Sequence, residues 1–168
     1  MRQRLKGAHV LGVVLALSVF GCAGEEPKVE ATFNQSASLV GGLPANPLQW
    51  KVVSSAIDTE NSTMSTLYGN DVAVQYARTN ERQEYPNGSV LSLVTWTQRE
   101  DGRWFGAKIP NEVKSVEFVF VAASADGRRL YSYQEYGGTP LKKVSEQEGP
   151  TANEGAARLL SQRAAVMP

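Results

Sequence analysis

Residues 116–136, VEFVFVAASADGRRLYSYQEY, decide the fold that this sequence predicts. Two apolar runs in this stretch flank Asp126-Gly127, a dipeptide that favours the tight turn of a β-hairpin. The first run has apolar side chains at both odd and even positions, which predicts a central strand buried on both faces. The second run alternates, with Tyr131 and Tyr133 on one face and polar residues on the other, which predicts a strand nearer the edge of the sheet.

Similar runs precede this hairpin and extend the prediction to a whole sheet. The predicted strands span residues 50–57, 63–68, 90–98, 103–109, 116–123 and 130–136. A break is expected at Pro110-Asn111, because proline cannot donate a hydrogen bond to a strand ladder. Short polar turns between successive strands predict an antiparallel meander.

Two helices are predicted beside this sheet. Asp71 is the expected N-cap of a short helix over residues 72–78, whose carboxyl end suits Arg78. Residues 156–165 are rich in alanine and leucine and favour a second, C-terminal helix. That helix would either dock on the sheet through an apolar stripe around Leu159 or fray. The fold class predicted is α+β, mainly antiparallel sheet.

The first 21 residues have the composition of a bacterial export signal, with three basic residues before an apolar run. That run, residues 8–20, is shorter than the ~20 residues that a membrane-spanning helix needs. Val19-Phe20-Gly21-Cys22 resembles the bacterial lipobox, in which the cysteine is acylated and the signal is removed before it. We therefore expect a protein anchored to a membrane by lipid on Cys22. An ordinary signal peptide with an incidental cysteine is the alternative.

Removal of the signal changes the chemistry that the chain can perform. It leaves 14 basic and 17 acidic residues, a net charge of −3 that argues against binding to nucleic acid. His9 is the only histidine and leaves with the signal, while Cys22 is the only cysteine and carries the lipid. Disulfides, Cys/His zinc sites and Ser-His-Asp or Cys-His catalysis are thereby excluded from the mature chain. No catalytic or metal-binding residue is predicted.

The order of features over roughly residues 46–140 resembles the cytochrome P460 domain. The motifs that carry the resemblance are Trp50-Lys51-Val52, Leu67-Tyr68-Gly69-Asn70-Asp71-Val72-Ala73, Tyr85-Pro86-Asn87-Gly88-Ser89-Val90-Leu91 and Trp104-Phe105-Gly106-Ala107-Lys108. The resemblance implies an exported protein of this fold. It also implies, for members with haem, oxidation of small nitrogen compounds by a haem attached through Cys-x-x-Cys-His near the C-terminus.

The segment expected to hold that haem motif, residues 153–162, has neither cysteine nor histidine. Residues 91–95 also lack a lysine that could match the family's additional cross-link to haem. Without these groups, neither covalent attachment nor the usual axial bond can form. Covalent haem is therefore excluded and no cofactor is predicted, although the sequence leaves non-covalent haem open.

Four segments follow from these features. Residues 1–21 are the signal, residues 22–40 a lipidated tether, residues 41–145 the P460-like domain and residues 146–168 a C-terminal tail or helix. Because Ala23 and not aspartate follows the cysteine, lipoprotein sorting in Gram-negative bacteria suggests the outer membrane over the inner.

The main functional hypothesis is a pocket for a small ligand, formed where aromatic strand residues converge. Its candidate residues are Trp50, Tyr68, Trp96, Trp104, Tyr131 and Tyr133. The competing interpretation is that these aromatics belong to the core and its rim.

Two further functions remain open. One is a structural lipoprotein whose sheet binds an envelope protein or a second copy of itself, as a homodimer. The other is an enzyme without a cofactor, using carboxylates that are otherwise interpreted as solvated charges. Those carboxylates are Glu81, Glu84, Glu100, Asp101 and Glu117.

Overall fold

The computed structural model describes residues 34–79 and 84–164. The expected signal, the expected lipidation site Cys22, most of the expected tether and Glu81 lie outside the described residues. In the described part of the chain, no helix is long and apolar enough to cross a membrane.

Six strands form one antiparallel sheet in which spatial order follows chain order. They are β1 (Lys51–Asp58), β2 (Thr63–Gly69), β3 (Val90–Glu100), β4 (Lys108–Ala123), β5 (Arg129–Gly137) and β6 (Lys142–Gly149). Helix α1 (Asp71–Thr79) follows β2, and helix α2 (Glu154–Leu160) follows β6. The predicted α+β meander is confirmed.

Strand β4 differs from the prediction, because it runs without interruption through Pro110. Pro110 pairs with Gln98 of β3, next to a register shift at Trp96. On its other side it needs no partner, since β5 begins to pair with β4 only at Ser115. Proline is tolerated where a strand has a free edge or a bulge. The expected break at Pro110-Asn111 is therefore wrong. The separate strand predicted over residues 103–109 is also wrong, because a turn over residues 101–107 joins β3 to β4.

The ends of both helices also differ from the prediction. Helix α2 begins at Glu154 and ends at Leu160, whereas the sequence favoured a helix over residues 156–165. Asn70, and not Asp71, caps α1, because its side-chain oxygen accepts a 3.0 Å hydrogen bond from the Ala73 amide. Asp71 is the first helical residue and pairs with Lys51 at 2.6 Å.

Strand β6 was not predicted and extends past the expected domain boundary at residue 145. Its charged sequence, KKVSEQEG, has little of the apolar alternation that indicates a strand.

The sheet buries apolar side chains on both faces. On the helical face, defined by α1 and α2, the buried residues include Leu91, Val119, Ala156 and Leu159. On the N-terminal face, defined by packing of residues 37–50, they are Val94, Trp96, Val116, Phe118, Tyr136 and Leu141. Strand β4 is thus central and covered on both faces, as predicted. Helix α2 docks on the sheet.

Candidate functional site

Half of the aromatic residues predicted to line one pocket lie on the N-terminal face. Trp50, Tyr68 and Trp96 pack there against the core cluster. The indole N–H of Trp96 donates a 3.0 Å hydrogen bond to the Ala37 carbonyl, and burial raises the pKa of Tyr68. The ring of Trp50 meets that of Phe118 edge-on at 6.2 Å. These aromatics fill the space between the sheet and residues 37–50, which pack across it.

The other three predicted pocket residues lie elsewhere. Tyr131 and Tyr133 are on the helical face, and Trp104 is 71% exposed in the turn between β3 and β4. The six residues are therefore not brought together, because successive side chains on a strand point to opposite faces. The strand register pairs Tyr133 with Val119, so the two side chains lie on the same, helical face of the sheet.

A buried polar cluster under α2 was missed by the sequence prediction. The Tyr133 hydroxyl donates to Glu117 Oε2 at 2.7 Å, and the Arg158 guanidinium donates to the same oxygen at 2.5 Å. Glu117 is only 7% exposed, so its interpretation as a solvated charge is wrong. Its position inside the apolar run VEFVF was the available signal, because a carboxylate on a central strand needs buried partners.

Helix α2 touches the sheet directly at Gly155. A Cβ atom at this position would lie 2.7 Å from the Tyr133 ring, closer than side-chain atoms normally approach. The cavity beside this contact, between Tyr133, Gln147 and Ala156, has a volume of about 70 Å³. Glycine at this position therefore lets the helix close over the sheet without leaving a slot for a large ligand.

An open cleft lies at the end of the sheet where β5 begins. It has a volume of about 510 Å³, and its walls are Glu84, Arg128, Arg129, Tyr131 and residues 150–152. A cavity of about 270 Å³ adjoins it and shares Glu84, Tyr131 and Ala152 with it. We call these two connected spaces the arginine cleft.

The guanidinium groups of this cleft are paired with carboxylates near the surface. Arg129 forms an ion pair with Glu84, and Arg128 Nε lies 2.5 Å from Asp126 Oδ2. Hydrogen bonds from Arg128, first from its backbone and then from its side chain, lower the pKa of Asp126. Exposed pairs of this kind contribute little stability, so an incoming anion can replace the carboxylates at small cost.

The inner end of the arginine cleft is aromatic and cationic. The Tyr85 hydroxyl donates a 2.8 Å hydrogen bond to the Gln162 carbonyl, and burial raises the pKa of Tyr85. The guanidinium of Arg163 lies 5.4 Å and 5.3 Å from the ring centres of Tyr76 and Tyr85. These distances allow cation–π attraction, which holds Arg163 in the wall of the smaller cavity.

The residues in the described part of the chain do not fit the haem that the resemblance implies. They include neither histidine nor cysteine. Tyrosine is another ligand that iron accepts, but burial and the hydrogen bond to Glu117 raise the pKa of Tyr133 and keep it a neutral phenol. Gly155 also seats α2 directly on that ring. Among the described residues, no cluster of three or more carboxylates is placed to hold a metal ion.

Comparison with known proteins supports the motifs singled out in the sequence. A comparison with curated proteins finds no match. The model of the cytochrome P460 family matches residues 44–152. This range contains all six strands and the turns between them, and it ends two residues before α2 begins. Because the match covers most of the chain, the protein belongs to the cytochrome P460 family.

Proposed function

We propose that this protein is a lipid-anchored protein of the bacterial envelope whose P460 domain binds a small anionic ligand in the arginine cleft, without haem. The observation that carries the proposal is the position of Arg128, Arg129 and Tyr131 around one open space of about 510 Å³. This volume is within the range of about 300–1,000 Å³ that small-molecule sites occupy. The slot under α2 is closed, so the cleft is the larger space on that face.

The chemistry of the cleft favours a small carboxylate with a flat apolar part. Arginine binds carboxylates through two parallel hydrogen bonds, which gives both affinity and orientation. The ring of Tyr131 offers an apolar wall beside the guanidinium groups. A ligand carboxylate would take the place of Glu84 or Asp126 at Arg129 or Arg128.

The anchoring part of the proposal is supported by the first 22 residues. Their basic start, short apolar run and terminal cysteine are typical of a lipoprotein precursor. Several acyl chains on one cysteine hold a protein stably at a membrane, whereas one chain alone gives marginal binding. The outer membrane is the proposed location, because Ala23 follows the cysteine.

Ligand binding is tested with purified protein and a panel of aromatic and aliphatic carboxylates, by NMR shifts of amides near Tyr131. We expect saturable shifts, and we expect Arg129→Gln to weaken binding by about tenfold, the loss of one strong charged contact. Lys143→Gln is the matched control, since it removes an exposed cation that pairs with Glu146 on β6. Absence of saturable shifts, or equal weakening by both substitutions, would contradict the binding proposal.

The absence of haem chemistry has its own test. Haem added to the purified full chain should give the spectrum of free haem, without a shifted Soret band. A Soret shift that saturates at one haem per chain would overturn the haem-free proposal. Mass spectrometry of the native N-terminal peptide tests the anchor, and we expect acyl groups on Cys22 that are lost in Cys22→Ser.

A second candidate function is assembly through the free edge of β1. This strand is at the end of the sheet, and Val52 and Ile57 on it are 51% and 63% exposed. An exposed strand edge can pair with a strand of another copy. The opposite edge, β6, carries Lys142, Lys143 and two glutamates, which disfavour such pairing. Native mass measurements should then show a dimer that Ile57→Lys converts to monomer.

A further inference from the structure

The turn between β3 and β4 presents two large aromatic side chains to solvent. Trp104 is 71% exposed, and Phe105 is fully exposed. Neither residue belongs to a core cluster or to the arginine cleft. Isolated apolar residues are common on protein surfaces, but an adjacent tryptophan and phenylalanine at the tip of a hairpin indicate an interaction site.

Hydrogen bonds hold this tip in a defined conformation. The Ala107 amide donates to the Trp104 carbonyl at 3.0 Å, and the Asp101 amide donates to the Ala107 carbonyl at 2.9 Å. Gly106 lies in this turn with φ of 76°, a conformation that glycine adopts without strain. The aromatic side chains are therefore exposed on an ordered turn.

The tip also projects beyond the rest of the sheet. Strand β2 pairs with β3 only as far as Thr97, and β5 pairs with β4 only from Ser115. The hairpin itself continues to the pair formed by Glu100 and Lys108. Among the described strands, none therefore lies beside its last pairs on either side, and the aromatic tip can reach a surface before the body of the domain does.

The chain enters the domain close to the base of this projection. The Asn34 side chain donates a 2.6 Å hydrogen bond to the carbonyl of Pro110, two residues after β4 begins. Residues 23–33 connect Asn34 to Cys22, and a chain of this length reaches at most about 40 Å. An acylated Cys22 would thus keep the hairpin end of the domain within reach of the membrane.

We propose that Trp104 and Phe105 insert into the interfacial layer of the bilayer that holds the acyl chains, as a second membrane contact of the domain. This inference rests on the proposed lipid anchor. Tryptophan favours the membrane–water interface, where its ring lies at the level of the lipid headgroups. Tryptophan and phenylalanine also form the apolar face of segments that bind at the boundary between headgroups and acyl chains. Two contacts fix the orientation of the domain relative to the membrane, which a single point of attachment does not.

Acidic and basic residues near the tip are almost equal in number, so insertion of the tip does not require anionic lipid. The basic residues Arg99, Arg103 and Lys108 stand beside the acidic residues Glu100 and Asp101. Lys108 pairs with Glu100, and Asp101 accepts a hydrogen bond from the Arg103 amide. Attraction to anionic lipid is therefore weak, and insertion is expected into zwitterionic bilayers as well.

The test uses the full chain purified from membranes and reconstituted in phosphatidylcholine vesicles, with and without bromine atoms on the lipid acyl chains. Bromine quenches tryptophan emission only at short range. We expect brominated vesicles to reduce the emission of the natural protein, and we expect Trp104→Phe to abolish this loss. Trp50→Phe is the matched control and should retain the loss, because Trp50 packs on the N-terminal face.

Two results would overturn the inference: unchanged emission of the natural protein in brominated vesicles, or a loss that persists in Trp104→Phe. Phe105→Ser should reduce the quenching of Trp104, which is a second readout from a substitution at an exposed site. The N-terminal peptide of the same sample is weighed in parallel. Acylated Cys22 without quenching refutes only the second contact, whereas unacylated Cys22 refutes the anchor and this inference together.

Discussion

Glu117 shows how one buried charge can fix the position of a helix. Its carboxylate accepts from Tyr133 on β5 and from Arg158 on α2, so it joins two elements that are distant in sequence. A buried carboxylate without donors would cost several kcal/mol, which is why both donors are needed.

Loss of the Arg158 guanidinium should therefore destabilise the fold. The Arg158 side chain is 50% exposed, so solvent compensates for part of the missing contact. We expect Arg158→Ala to lower the free energy of unfolding by about 1–2 kcal/mol, measured by urea denaturation. Lys142→Ala, on the exposed strand β6, should change it by less than about 0.5 kcal/mol. Equal effects of the two substitutions would argue against a structural role for the Glu117 cluster.

Tyr133 should make stability sensitive to alkaline pH. Burial, followed by the hydrogen bond to Glu117, raises its pKa above the ordinary value of 10.0. The folded chain thus keeps a proton that the unfolded chain releases, so this stabilisation is complete below about pH 10 and declines above it. The free energy of unfolding should fall as the pH rises above about 10, and it should fall less in Tyr133→Phe. An identical decline in both proteins would exclude this cause.

At the scale of single elements, docking of α2 depends on the absence of a side chain at Gly155. Alanine there places a methyl group 2.7 Å from the Tyr133 ring. Overpacking of this kind costs about 1–3 kcal/mol, more than the roughly 1 kcal/mol that alanine gains over glycine in a helix. We expect Gly155→Ala to lower the melting temperature and to speed hydrogen exchange of the α2 amides.

A second variant separates this clash from a general effect of alanine. In a Tyr133→Leu background the ring is gone, so Gly155→Ala should cost much less stability than in the natural chain. Gly102→Ala is the matched control, because a Cβ at Gly102 meets nothing within 4 Å. If Gly155→Ala is equally harmful in both backgrounds, contact with Tyr133 is not what requires glycine.

The elements that could be predicted are those whose signals are local. The Asp126-Gly127 turn joins β4 and β5 as expected, whereas the turn after β3 runs over residues 101–107 and takes up most of the strand predicted over residues 103–109. Apolar residues on both sides of β4 correctly indicated burial on both faces. Strand β6 could not be predicted, because its ladder to β5 stabilises a sequence with little strand propensity. Strand β4 continues through Pro110 because β5 does not pair with it there. The sequence around Pro110 does not show where that pairing ends.

At the scale of the whole molecule, the aromatic content of the sequence did not predict the position of a site. The lack of cysteine and histidine in residues 153–162 is read from the sequence alone and leads to the prediction of a chain without covalent haem. The aromatic set failed as a site because three of its members face the N-terminal side and two face the helices. The arginine cleft joins β5 to residues 84–85 and to the segments on either side of α2. Its walls are distant in sequence, so no local pattern could reveal it.

Because both cores share one sheet, the domain should unfold as a single unit. Phe118 on the N-terminal face and Leu159 on the helical face are both fully buried. We expect Phe118→Ala to cost about 3–5 kcal/mol and Leu159→Ala about 2–5 kcal/mol. Each substitution should shift one common transition, seen equally by circular dichroism and by tryptophan fluorescence, because the packed tryptophans Trp50 and Trp96 both lie on the N-terminal face. If Leu159→Ala moved the circular dichroism transition and left the fluorescence transition in place, the helical face would be a separate folding unit. A ligand in the arginine cleft would then stabilise that unit alone.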